Sequence, residues 1–213
     1  MTKPHPNLIL IGGSSHVGKS AVSKALAATL GWDHVSTDSL ARHPGRPWKL
    51  APEKVPDHVA RHYLSLSVDE LVEDVLHHYR VNVWPQVEKI IASRSNDTST
   101  AGIVLEGSAL WPELATSLDF DKVAAVWLTA KEEIFRQRIL AGSLYSSKPS
   151  RERKLIDKFL RRTLAYNARM IDAVSRHGFI LVGVLQSDVA ELADRCLSAL
   201  GIDNRTGTRY IDP

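Results

Sequence analysis

The most specific chemical signal in the sequence is a run of eight residues that follows a short apolar segment. It fits the pattern G-x-x-x-x-G-K-[ST] at every fixed position and consists of Gly13, Ser14, Ser15, His16, Val17, Gly18, Lys19 and Ser20. In this pattern the glycines let backbone N–H groups point at a phosphate, the lysine reaches its outer oxygens, and the final hydroxyl is a ligand for Mg²⁺. We therefore predict a binding loop for the phosphates of a nucleoside triphosphate. The competing interpretation is a glycine turn with an exposed lysine.

Two carboxylates stand at the ends of segments that we predict to be strands. Asp38 follows the segment 33–36, and Glu106 lies near the end of the apolar segment 103–107. In an open α/β sheet these strand ends border the ligand crevice, beside the phosphate loop. For Asp38 the alternative is a helix cap, made by Asp38 or Ser36. For Glu106 the alternative is a plain surface turn.

Basic side chains form two further groups. Arg42 and Arg46 lie in a loop rich in proline and glycine, and their guanidinium groups suit a carboxylate or phosphate on a substrate. A solvated basic loop is the alternative. The second group is Arg138, Arg151, Arg153, Arg161 and Arg162, which lie on predicted helices. His77 and His78 are adjacent on a helix, about 100° apart, so we do not expect them to share a metal.

The elements that position these residues alternate along the chain. The predicted strands span residues 7–12, 33–36, 103–107, 123–128 and 179–184. The predicted helices span residues 18–30, 56–66, 67–95, 130–142, 151–177 and 187–200. Capping residues Ser67 with Glu70 and Thr129 with Glu132 mark two helix starts, and Pro85 predicts a bend. The alternation predicts an α/β fold with a five-stranded parallel sheet covered by helices on both faces.

The phosphate loop between a strand and a helix resembles that of the P-loop NTPase superfamily. In size and layout the chain is similar to small-molecule P-loop kinases, namely the shikimate, gluconate, chloramphenicol and uridine kinase groups, and to proteins labelled 2-phosphoglycerate kinase. The sequence motifs of Ras-type GTPases are absent in the required order. The resemblance implies one kinase domain over residues 1–213, with an acceptor loop and helical insert at 37–95 and a lid at about 138–155.

The resemblance also implies roles for individual residues. Asp38 would accept the proton of the attacking hydroxyl or orient it, and Glu106 would hold Mg²⁺ or contact the acceptor. Arg138 matches the arginine that precedes the lid. The candidates for contact with the γ-phosphate are Arg151, Arg153, Arg161 and Arg162, with the choice among them left open and a solvated helix face as the alternative for each. The implied cofactors are ATP and Mg²⁺.

Composition narrows the class of protein. The 213 residues carry a formal charge of +3 and are 44% apolar, which is typical of a single globular domain. One cysteine excludes a disulfide scaffold or a cysteine-based zinc site. We expect a soluble, cytoplasmic protein that binds neither nucleic acid nor membranes, in an oligomeric state left open.

These observations together predict an ATP-dependent transfer of the γ-phosphate to a hydroxyl of a small metabolite, an anionic one if Arg42 and Arg46 bind it. The alternatives are a nucleoside or antibiotic kinase, and a non-catalytic ATP-binding regulatory module.

Overall fold

A five-stranded parallel sheet forms the centre of the protein. The computed structural model describes residues 6–49, 53–95, 101–185 and 188–202. The strands are β1 Leu8–Gly13, β2 Asp33–Ser36, β3 Ile103–Glu106, β4 Val123–Ala130 and β5 Ile180–Val184. Their order across the sheet is β2-β3-β1-β4-β5, and every neighbouring pair is parallel. The predicted fold class is confirmed, and each strand lies within two residues of its expected bounds.

Eight α-helices cover this sheet within the described part of the chain. They are α1 Lys19–Leu30, α2 Asp57–Ser65, α3 Val68–His78, α4 Trp84–Ser95, α5 Pro112–Ala115, α6 Glu132–Ser143, α7 Ser150–Arg176 and α8 Val189–Leu200. The short helix α5 is absent from the sequence prediction. No helix among the described residues is long and apolar enough to cross a membrane.

Alternate residues of each strand are buried on opposite faces of the sheet. Successive strand residues point to opposite faces, so Ile9 and Ile11 join one apolar cluster while Leu8 and Leu10 join the other. All four side chains are 0% exposed. Because both faces are covered, β1 consists of apolar residues throughout, as expected for a central parallel strand.

The helical insert contains the predicted capping box and a change of helix type. Ser67 Oγ accepts from the Glu70 amide at 3.2 Å, and a Glu70 carboxylate oxygen accepts from the Ser67 amide at 2.7 Å. A π-helical turn, Tyr79–Val83, then joins α3 to α4. Pro85 has no amide hydrogen, and its ring would crowd the carbonyl four residues earlier, so the regular hydrogen-bond ladder must change just before it.

The predicted start of α6 is wrong in detail. Thr129 lies inside β4, and its hydroxyl donates to Asn167 Oδ1 at 3.1 Å rather than capping a helix. The helix begins at Glu132, after Lys131, which makes no side-chain capping bond. Pairing with β5 extends through Ala130, so this pairing sets the end of the strand.

Candidate active site

The phosphate loop curls because three of its residues adopt positive φ angles. Gly13 has φ +140°, His16 has φ +65°, and Gly18 has φ +109° at the residue before α1. A Cβ on Gly13 would lie 2.7 Å from the Leu128 carbonyl oxygen, so only glycine fits there. The N-terminus of α1 therefore opens directly onto the loop, an arrangement that favours an anion.

The lysine of the motif lies across the loop and is not an exposed turn residue. Lys19 is 7% exposed, and its Nζ donates to the Ser14 carbonyl at 2.9 Å and to Ser108 Oγ at 3.2 Å. Burial lowers the pKa of Lys19, and the carboxylates of Glu106 and Asp38 oppose that shift. The sequence analysis did not identify Ser108 as a site residue. Its position two residues after Glu106, the last residue of β3, could have indicated that it lies at the ligand edge of the sheet.

Ser20 and Glu106 form a pair of oxygen donors at the start of α1. Ser20 Oγ donates to Glu106 Oε1 at 2.9 Å, and Glu106 is only 2% exposed. A surface turn is therefore excluded for Glu106. Hydroxyl and carboxylate oxygens are the ligand types that Mg²⁺ prefers, so this pair fits the metal that the motif implies.

Arg138, on α6, holds the backbone of the phosphate loop. Its Nη1 donates to the carbonyl oxygens of His16 at 3.0 Å and Val17 at 2.7 Å. Burial, together with the positive charges of Arg46, Lys19 and Arg138, lowers the pKa of His16 to about 4. The imidazole of His16 is therefore neutral at pH 7.

Two adjoining cavities open at the carboxyl ends of the strands. The first, about 320 Å³, surrounds the phosphate loop and includes Glu106 and Arg138 in its lining. The second, about 620 Å³, is lined by the loop 43–49 together with residues of α7 and of the π-helical turn. Four residues line both cavities: Ser15, Asp38, Arg46 and Ser108. We call the smaller one the nucleotide cavity and the larger one the acceptor cavity.

Asp38 lies on the boundary between the two cavities in a short 3₁₀ turn, Thr37–Ser39. The cap of this turn is Ser36, whose hydroxyl accepts from the Asp38 amide at 3.4 Å. Within the described part of the chain, the Asp38 carboxylate itself makes no hydrogen bond or ion pair. Capping therefore does not account for this carboxylate.

Arg162, on α7, is a buried cation in the wall of the acceptor cavity. It is 7% exposed, its guanidinium lies 5.8 Å from the centre of the Phe159 ring, and Nη1 donates to the Tyr63 hydroxyl at 3.4 Å. Among the described residues it has no carboxylate partner, and its buried Nε has no hydrogen-bond partner. Such a charge is costly unless something pairs with it.

Other predicted residues are not brought to the cavities. Arg42, Arg151 and Arg153 are exposed, and none of them lines either cavity. Arg151 instead lines a surface groove beside α2. Helical spacing places Arg162 on the same face of α7 as Phe159, while positions 151 and 153 lie on solvent-facing sides. Glu106 lines the nucleotide cavity and not the acceptor cavity.

One curated protein is similar to this chain in sequence. The 2-phosphoglycerate kinase of Methanocaldococcus jannaschii is 26% identical over 204 residues, which is 92% of this chain. The chain spans 63% of the length of that relative. No protein-family model matches the sequence.

Solved kinase structures share the fold over nearly the whole chain. A sugar kinase from Janibacter sp. superimposes with a TM-score of 0.57 at 14% identity, covering 96% of this chain and 100% of that one. A gluconokinase from Sinorhizobium meliloti gives 0.52 at 20% identity, covering 92% of each chain. A shikimate kinase from Aquifex aeolicus gives 0.51 at 17% identity, covering 94% of this chain and 99% of that one. The chain has the fold of the small-molecule P-loop kinases, and the predicted resemblance to them is confirmed.

Proposed function

We propose that this protein is a kinase that transfers the γ-phosphate of Mg-ATP to a hydroxyl of a small anionic metabolite. The observation that carries the proposal is the carboxylate of Asp38, which lies on the boundary of the nucleotide and acceptor cavities and has no hydrogen-bond or ion-pair partner among the described residues. A non-catalytic nucleotide-binding module has no need for a free carboxylate at that boundary. The kinase fold and the archaeal relative agree with this assignment.

The nucleotide side of the reaction depends on the phosphate loop. Lys19, already oriented across the loop by Ser14 and Ser108, exchanges these contacts for oxygens of the β- and γ-phosphates. Ser20 and Glu106 would hold Mg²⁺, which when bound neutralises charge on the β- and γ-phosphate oxygens. Arg138 keeps the loop backbone in its curled form through the two carbonyls that it binds.

On the acceptor side, Asp38 acts as the base. Its carboxylate accepts the proton of the acceptor hydroxyl as that oxygen bonds to the γ-phosphorus, and the bond from phosphorus to the β-phosphate oxygen breaks to release ADP. Phosphoryl transfer depends mostly on positioning and charge neutralisation, so one well-placed carboxylate is a sufficient base.

The negative charge of the acceptor is inferred from Arg162 and Arg46. The buried guanidinium of Arg162 faces the acceptor cavity with no counter-ion among the described residues, and a carboxylate or phosphate on the substrate would supply one. Arg46 adds a second positive charge where the two cavities meet. The relative is named for 2-phosphoglycerate, which combines a hydroxyl with two anionic groups.

We further propose the segment after α6 as a lid over these cavities. Gly142 lines the acceptor cavity, and Lys148 Nζ donates to the Lys49 carbonyl of the acceptor loop at 2.6 Å. This contact connects the predicted lid at 138–155 with the acceptor loop. Closure of such a segment would exclude water, which otherwise competes as phosphate acceptor. Arg151 and Arg153 stay predicted lid contacts.

A panel of hydroxyl compounds, scored for ADP release in the presence of Mg-ATP, tests the proposal. The anionic set contains 2-phosphoglycerate, shikimate and gluconate. The neutral set contains nucleosides, hexoses and an uncharged antibiotic, chloramphenicol. We expect turnover only with an anionic hydroxyl compound, and the product should carry one added phosphate by mass spectrometry.

Asp38→Asn is the matched control for the panel. It should release ADP about 10²–10⁴-fold more slowly than the wild type while binding ATP as the wild type does. Tight ATP binding without turnover of any compound would instead indicate a nucleotide-dependent regulatory module. Preferred turnover of a neutral compound would overturn the proposal that the acceptor is anionic, but it would support the proposed kinase activity.

A further inference from the structure

Three side chains from separate parts of the chain converge beside the acceptor cavity. His43 belongs to the acceptor loop, His62 to α2 and Asp74 to α3. His43 Nε2 lies 3.0 Å from Asp74 Oδ2, and His62 Nε2 lies 3.7 Å from the same oxygen. The three groups offer one donor atom each, and these atoms all lie within 4.8 Å of one another.

The spacing of these donors is close to that of a metal coordination sphere. Ligand bonds of about 2.0–2.1 Å in a tetrahedral zinc site place neighbouring donors roughly 3.3 Å apart. The distances of 3.0 and 3.7 Å bracket this value. Two imidazole nitrogens and one carboxylate oxygen form a donor set that zinc takes, whereas Mg²⁺ prefers oxygen ligands alone.

Both histidines are shielded from solvent, and one nitrogen of His62 lacks a hydrogen-bond partner among the described residues. Their side chains are 13% and 15% exposed for His43 and His62, against 46% for Asp74. His62 Nε2 is buried without a hydrogen-bond partner. A metal would use the free electron pair of this nitrogen, which nothing else among the described residues engages.

Metal binding would change both hydrogen bonds of His43, the one to Asp74 and the weaker one from Gly45. Its Nδ1 accepts from the Gly45 amide at 3.4 Å, so in the neutral ring the proton is on Nε2 and faces Asp74. Coordination through Nε2 moves the proton to Nδ1 and replaces the bond to Asp74 with a shared metal. His78 packs against His43 with ring centres 5.0 Å apart, outside the set of three donors.

We propose that His43, His62 and Asp74 form a site for a transition-metal dication of the zinc type. The site is separate from the Ser20 and Glu106 pair that would hold Mg²⁺. Its three ligands would connect the acceptor loop to α2 and α3 and so fix the loop that carries Arg46 into the two cavities. The exposed side of Asp74 leaves room for a water as fourth ligand.

Titration of the protein with Zn²⁺ alone tests the proposal, in a chelator-treated sample without ATP or acceptor. Isothermal calorimetry should show one equivalent bound at a dissociation constant below about 1 μM, unaffected by millimolar Mg²⁺. Co²⁺ should give the visible absorption of a four-coordinate site. The same equivalent of Zn²⁺ should raise the melting temperature, because the metal binds the folded chain.

Two single variants and one matched control complete the experiment. His62→Gln and Asp74→Asn should each weaken Zn²⁺ binding by at least about 100-fold, since each removes a direct ligand. His77→Gln, an exposed neighbour on α3, should bind as the wild type does. Circular dichroism in the absence of metal verifies that the variants fold. If one variant does not fold, the Zn²⁺ affinity of the other variant is enough to test the proposal.

The proposal is overturned if the wild type binds no stoichiometric Zn²⁺, or if both folded variants bind it as tightly as the wild type does. Neither result would test the proposed kinase activity, because the Zn²⁺ titration contains no nucleotide. Conversely, a protein that fails to turn over any hydroxyl compound could still show the metal site.

Discussion

The nucleotide cavity and the acceptor cavity are built in opposite ways. The lining of the nucleotide cavity includes one continuous segment, residues 15–22, which comprises most of the phosphate loop and the start of α1. Lys19 and Arg138 hold this loop through backbone carbonyls. The acceptor cavity is formed by side chains from the loop 43–49, the π-helical turn and α7, more than a hundred residues apart. The first depends on local conformation and the second on tertiary packing, so changes to the two should affect different kinetic parameters.

Lys19→Ala should have the largest effect and should act on the nucleotide cavity. Loss of the charge that reaches the β- and γ-phosphates should reduce turnover to background and weaken ATP binding. Calorimetric titration with Mg-ATP and an ADP-release assay measure the two effects. Equal ATP affinity in wild type and variant would show that this lysine does not bind the triphosphate.

Asp38→Asn should separate catalysis from ATP binding, because Asp38 lies between the two cavities. We expect kcat to fall by about 10²–10⁴-fold with ATP affinity nearly unchanged, as for a base that acts in the transition state. Since Ser36 makes the capping bond, the fold should keep its stability. Steady-state kinetics and thermal melting are the measurements. A variant with near-full kcat would remove Asp38 as base and leave Glu106 to be tested.

Arg162→Met should act on the acceptor cavity alone. Removing an anion-binding guanidinium should raise the KM for the acceptor by about 10–100-fold and leave the KM for ATP within about twofold. Among the described residues this buried cation has no carboxylate partner, so it contributes little to stability and the melting temperature should not fall.

The neighbouring substitution Arg161→Met is the control for Arg162, because Arg161 is exposed on the next position of α7. It should change neither KM. If Arg162→Met lost stability and kept its acceptor KM, the role of the guanidinium would be structural.

His16 and His43, one beside each cavity, should make the stability of the protein depend on pH, because burial lowers the pKa of each imidazole to about 4. A substitution at His16 isolates the contribution of that residue. Its folded pKa is about 4, against an ordinary value of about 6.5, so between these values the unfolded chain binds a proton that the folded chain does not. Stability should therefore fall as the pH is lowered from 7 to 5. His16→Asn, which tolerates the positive φ, should lose roughly 1–2 kcal/mol less over this range.

Urea unfolding of the wild type and His16→Asn at the two pH values measures this difference. Parallel losses of stability in both proteins would show that His16 titrates normally in the folded state.

Arg46→Ala should have the smallest effect, because Arg46 is exposed although it lines both cavities. We expect the acceptor KM to rise by about 3–10-fold, the ATP KM to rise less, and both effects to shrink at high salt. Arg42→Ala is the matched control from the same loop, and its KM values should equal those of the wild type. An equal effect of the two substitutions would show that the overall positive charge of the loop, and not a direct contact of Arg46 with the substrates, sets the KM values.

The local features of the fold and site could be predicted because neighbouring residues create them. The capping box of Ser67 and Glu70 satisfies its own backbone groups. The phosphate loop curls through the φ angles of its own residues, although Arg138 from α6 also binds two of its carbonyls. Thr129 could not be assigned correctly, since whether it caps a helix or extends a strand depends on pairing with β5. Arg42 and Arg46 are equally basic in sequence, and only the path of the loop distinguishes them.

The order of apolar and polar residues therefore determined the parallel sheet and the phosphate loop, whose geometry rests on spacing and on glycine at positive φ. Packing of α7 and the helical insert against the sheet decided the rest. It buried Arg162 with no counter-ion in the described part of the chain, and it brought His43, His62 and Asp74 together from three segments. Such long-range contacts leave no periodic trace in a single chain, because their partners are separated by stretches that only folding brings into register.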